Sequence, residues 1–168
     1  MGDVGFGEVS LDGGVLVQYW VENVCIFAWC QPLTAAAVDQ ALQRSTFRIR
    51  RYPRGISIVH VGDVRASFVD PQVREALVRA THAVQRVAAI AVVTPARGFL
   101  ASTVRSVTTA VLMLSRVSTE LRFDERVEDV IDWLPTVNER ATGTKVEPRE
   151  LLRVLQEAAR RGQLQPQS

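Results

Sequence analysis

Lysine is almost absent from this chain: of 20 basic residues in 168, all but Lys145 are arginine. Arginine's planar fork suits bidentate pairing with carboxylates and phosphates, so this surface offers little diffuse ammonium charge. An excess of one charge is lacking as well. Eighteen acidic residues leave a net charge of +2, so no overall field steers a polyanion to the molecule. With two cysteines and two histidines, a disulfide framework is excluded, and neither residue type has metal-ligand spacing. Neither a metal nor a cofactor is implied. No apolar stretch approaches the roughly 20 residues of a membrane helix. Met1-Gly2-Asp3-Val4-Gly5 lacks the basic start and apolar run of a signal peptide, so the expectation is a cytoplasmic protein with no transmembrane segment.

What is present is the composition of a globular domain, 47% hydrophobic and 23% charged, at a length that suits one domain. Residues 1–12 are glycine-rich and read as a loose leader. Val15-Leu16-Val17-Gln18-Tyr19-Trp20 and Val24-Cys25-Ile26-Phe27-Ala28-Trp29-Cys30 are dense in β-branched and aromatic residues around the polar pair Glu22-Asn23, which predicts a β-hairpin. Thr34 then caps a helix with the apolar strip Ala35, Ala36, Ala37, Val38, Ala41 and Leu42. It decays into an arginine-rich segment closed by Pro53 and Gly55.

Ile56 to Val61 reads as a short buried strand between glycines. Asp70-Pro71 opens a helix whose Leu77, Ala80, Val84 and Val87 share one face. Ala88 to Thr94 is a continuous apolar run, the signature of a strand covered on both sides. Ser102 caps a helix with Val104, Val107, Val111 and Leu114. Leu121-Arg122-Phe123 is a strand, and Asp124 caps a helix carrying Val127, Val130, Ile131 and Leu134 that Pro135 closes. This alternation predicts an α/β layered domain over residues 13–137, with a mixed, mostly parallel sheet of about five strands opened by an antiparallel hairpin. Residues 138–168 read as a polar linker, an amphipathic helix from Glu147-Pro148 to Gly162, and a polar tail.

The opening hairpin, the helix cap after Gln31-Pro32-Leu33-Thr34, and Phe123-Asp124 followed by Trp133-Leu134 resemble the bacterial STAS-like domains of the anti-sigma-factor antagonist type, in particular the SpoIIAA-like branch. The resemblance implies a non-enzymatic regulatory or scaffolding module that binds a protein partner and is able to form a homodimer. In the phospho-regulated members a serine directly follows an aspartate where the third strand meets the second helix. Asp63 matches that aspartate, but Val64 stands in the serine's place, and Ser67 is the nearest hydroxyl.

Four groups of residues carry candidate chemistry. His60 and Asp63 fall at the end of a parallel strand, where ligands gather, and form a base-and-orienter couple or a core histidine beside a turn-capping aspartate. Cys25 and Cys30, five apart on one strand, face opposite sides, so they are no redox pair; a Cys30–His60 nucleophile pair competes with inert burial. In the segment from Thr94 to Arg105, Arg97, Ser102, Thr103 and Arg105 suit a phosphate or carboxylate pocket at a helix start, and Phe99 suits a partner contact. With Asp63, Arg65 and Ser67, these residues make up the expected partner or ligand surface. The alternative to a partner is a small anionic ligand, or an enzyme's substrate, in the same strand-end crevice. Arg44, Arg48, Arg50, Arg51 and Arg54, interleaved with Phe47 and Tyr52, form the basic patch. Near-neutral charge and the lack of a nucleic-acid motif argue against a nucleic-acid partner. The acidic counterweight is Glu120, Asp124, Glu125, Glu128, Asp129 and Asp132, which suits self-association or an intramolecular fit.

Overall fold

The computed structural model describes residues 9–63, 70–84, 86–94 and 119–162, together with Ser102, Arg105, Ser106, Thr109 and Met113. The hairpin forms as its sequence dictates. β2 (Leu16–Val21) and β3 (Val24–Trp29) pair antiparallel around Glu22-Asn23. Nearly every residue of both strands is buried, which is why they read as unbroken apolar runs without alternation.

β1 (Val9–Leu11) lies antiparallel against β2, placing a sixth strand where a loose leader is expected. Three residues flanked by glycines carry too little periodicity to announce a strand. The chain then continues through α1 (Ala35–Arg50), β4 (Ile56–Gly62), α2 (Pro71–Ala83), β5 (Val87–Val93) and β6 (Glu120–Asp124). Strand order in the sheet equals order in the chain, and β3 to β6 are parallel.

A strictly sequential order with crossovers of one hand puts the connecting helices on one face. Accordingly, α1 and α2 bury Ala37, Val38, Ala41, Val73 and Ala76 against Trp20, Cys25, Trp29 and Ile56. Thr34 Oγ1 accepts the N–H of Ala37, and Asp70 accepts that of Gln72, so these two expected caps are made, whereas Ser102, also expected as a cap, is itself helical. A bulge between Ile56 and Ser57 in the β4–β5 pairing skips Ala88, keeping Val87, Ile90 and Val92 together on the α1–α2 face.

The opposite face is covered by the C-terminal residues. α3 (Val127–Ile131), α4 (Leu134–Thr142) and α5 (Pro148–Arg161) bury Val130, Leu134, Leu151, Val154, Leu155 and Ala158 against Tyr19, Ile26, Val59 and Val61. Two expectations are corrected here. Pro135 opens α4 instead of closing its predecessor, because a proline in the first helical turn forfeits no helical hydrogen bond. The boundary expected after residue 137 falls inside α4, and the last helix joins α3 and α4 in a third layer of the domain. Asp124, expected as a cap, ends β6 and accepts the indole N–H of Trp133 at 3.2 Å.

Candidate functional site

The parallel strands give the domain two poles. Strand C-terminal ends, with Asp63, Thr94 and the acidic residues after β6, lie at one. The turn from α1 into β4 lies at the other and carries the arginines.

At the first pole, His60 stands on the α1–α2 face of β4, directly opposite Phe27 of β3. Its ring stacks on Phe27 at 5.5 Å between centroids and meets Trp29 edge-on at 5.4 Å. Trp29 Nε1–H donates to His60 Nδ1 at 3.1 Å, so the partner of His60 is the indole, not Asp63. The bond leaves the proton of the neutral imidazole on Nε2. Burial holds the histidine neutral, lowering its pKa to about 4.

Cys30 lies just past β3 and packs into the opposite core cluster, so it does not form a nucleophile pair with His60. Cys25 is wholly buried on the α1–α2 side, and burial pushes its thiol up to about 12. Its sulfur accepts from Gln18 Nε2, which also donates to Ser45 Oγ at 2.6 Å; Ser45 in turn donates to Ala41 O. Cys25 is therefore an inert packing group, and the two cysteines lie on opposite faces as their spacing requires.

Of the other expected surface residues, Asp63 is half-buried, Ser102 is exposed and helical, and Arg105 is exposed with its guanidinium 5.5 Å from the Phe123 ring. Arg65, Ser67, Arg97, Phe99 and Thr103 lie outside the described residues. Among the described residues, no cluster of three His, Cys, Asp or Glu side chains is placed to hold a metal ion. Nor is any described helix long and apolar enough to cross a membrane.

The second pole is more distinctive. α1 runs to Arg50, about two turns further than its apolar strip, and its outer face presents Arg44, Phe47 and Arg51. Phe47 is 78% exposed, the most exposed large hydrophobic side chain among the described residues. Arg44, Arg50, Arg51 and Arg54 make no ion pair with a described residue, while half-buried Arg48 lies 5.3 Å over the Trp20 ring. The acidic residues Glu125, Glu128, Asp129 and Asp132 sit beyond the C-terminal end of β6, at the other pole. Glu120, at the start of β6, pairs with Arg122 and Arg140, so no ion pair among the described residues joins the two patches. The sequence reading places Phe47 in the basic patch, and the continuation of α1 turns its ring outward.

Compared with known proteins, the chain matches no family model, no curated protein and no solved structure.

Proposed function

We propose that this chain is a non-enzymatic regulatory or scaffolding module that docks an acidic, partly apolar protein surface on the outer face of α1. The observation that carries the reading is Phe47, 78% exposed between arginines that have no described carboxylate partner. Burying such a ring in a partner's pocket removes apolar area from water, and aromatic and arginine anchors carry most of the affinity at protein interfaces. The surrounding guanidinium groups select carboxylates and speed encounter. The element order, β-hairpin then β-α repeats, supports the same reading through the resemblance to SpoIIAA-like domains.

The test pairs wild type with Phe47→Asp/Arg51→Glu, two exposed changes expected to leave folding intact. A protein captured from native extract by wild type alone is then purified and bound to both in a defined assay. Binding weakened at least tenfold by the double variant, and weakened by added salt, supports the reading. Equal binding to both overturns it. Light scattering of the purified chain shows whether the acidic partner is a second copy, docked pole to pole.

A further inference from the structure

Between the sheet and helices α1 and α2 lies a cavity of about 90 Å³. Its walls are Trp20, Phe27, Trp29, Val38, Ile58 and Leu77, and no charged side chain lines it among the described residues. Nor is it sealed, since Leu42, Ile49, Leu77 and Thr81 on its lining are only half-buried. Protein interiors of ordinary packing hold few voids larger than a water molecule, so a space of this size calls for an occupant.

The polar groups around it narrow what that occupant is. Ser45 Oγ donates to Ala41 O and accepts from Gln18; Thr81 Oγ1 donates to Leu77 O. Cys25 is protonated and already accepts from Gln18. His60 differs. Its Nδ1 is occupied by the Trp29 indole, and its Nε2–H has no partner among the described residues. The cavity thus pairs one neutral donor with an otherwise apolar wall.

We infer that this cavity is a binding site for a small uncharged molecule, apolar over most of its surface and carrying one hydrogen-bond acceptor that receives the His60 Nε2 proton. Dry apolar cavities of about 150 Å³ hold benzene, so this smaller one takes about four heavy atoms. A carboxylate is disfavoured, because no guanidinium or ammonium group among the described residues lines the space to neutralise it. This site is separate from the α1 outer face, and either assignment stands without the other.

The test uses acetone as the acceptor-bearing probe, with isobutene and acetate as the apolar and charged comparisons of the same size. Each is titrated into isotope-labelled protein, and the Trp20 and Trp29 indole N–H resonances are followed. Acetone shifts both and binds at least fivefold more tightly than either comparison. Ala80→Leu, which adds bulk to the cavity wall without touching a polar group, abolishes those shifts while the remaining spectrum stays folded. His60→Phe, which keeps a ring but loses the donor, weakens acetone about tenfold and leaves isobutene unchanged. Equal affinity for acetone and isobutene, undisturbed indole resonances with every probe, or unaltered binding in folded Ala80→Leu overturns the inference.

Discussion

Asn23 and Asn138, 115 positions apart in the chain, exchange a reciprocal pair of amide hydrogen bonds: Asn23 Nδ2 to Asn138 Oδ1 at 3.0 Å, and Asn138 Nδ2 to Asn23 Oδ1 at 2.9 Å. Both are completely buried. Around them Ser57 Oγ donates to Asn138 Oδ1, Asn23 Nδ2 reaches Gly55 O and Thr142 Oγ1, and Asn138 Nδ2 also reaches Thr144 O. The hairpin turn, the start of β4 and the end of α4 are thereby joined by one satisfied polar network inside an apolar layer.

Breaking that network leaves buried amides without partners, which costs more than the bonds contribute net. Asn138→Ala and Asn23→Ala should each destabilise by about 2–4 kcal/mol. The double variant should lose clearly less than the sum, since each change removes the same pair. Urea unfolding of the three variants measures it, and strict additivity would show that the two amides are independent.

His60 makes stability depend on pH in a defined sense. Its pKa is lowered by burial from 6.5 to about 4. Between those values the unfolded chain binds a proton that the folded chain refuses, so stability rises with pH across that window. The contribution is complete above pH 6.5 and is lost as pH falls toward 4, by about 3 kcal/mol in all. Asp124 works in the opposite direction. Burial raises its pKa against the lowering effect of the Trp133 bond, so its contribution falls as pH rises. The measurement is therefore a difference: unfolding free energies of wild type and His60→Phe from pH 4 to 7, with a shallower slope in the variant. Parallel slopes would contradict the assignment.

The layered α/β class, the hairpin, the Thr34 and Asp70 caps and the breakpoints at Gly55 and Gly62 were legible because turn chemistry and buried runs are local signals. The C-terminal layer was not. Leu151, Leu155 and Ala158 look like any amphipathic stripe, and only the uncovered Tyr19–Ile26–Val59 face shows what they meet. His60 and Asp63 lie near a strand's end as expected, but the strand's phase turns the imidazole toward Trp29, 31 positions away in the chain and invisible to spacing. The Asn23–Asn138 contact spans nearly the whole chain, and no periodicity reports it.

Gly62 ends β4 with φ +138, a region that side chains rarely adopt. A Cβ there would stand 2.8 Å from the carbonyl oxygen of Trp29. Gly62→Ala should therefore destabilise by about 2–4 kcal/mol, visible as a lower melting temperature, and should disturb the Trp29 indole resonance. A variant as stable as wild type would mean the strand end relaxes freely.

Cys25, protonated and buried, should be inert to thiol reagents in the native state. In a Cys30→Ser background, a disulfide reagent should find no reactive thiol until denaturant is added, then one. Rapid reaction under native conditions would indicate that α1 lifts from the sheet.

Because strand order follows chain order, each strand emerging during synthesis finds its pairing edge already made. The blanket over the second face arrives last, with Leu151 to Ala158 near the chain's end. Until then Tyr19, Ile26, Val59 and Val61 form a bare apolar floor on a nearly finished sheet. A chain lacking α5 would leave a sticky half-sandwich, so that helix is what keeps the sheet's second face from associating with other chains.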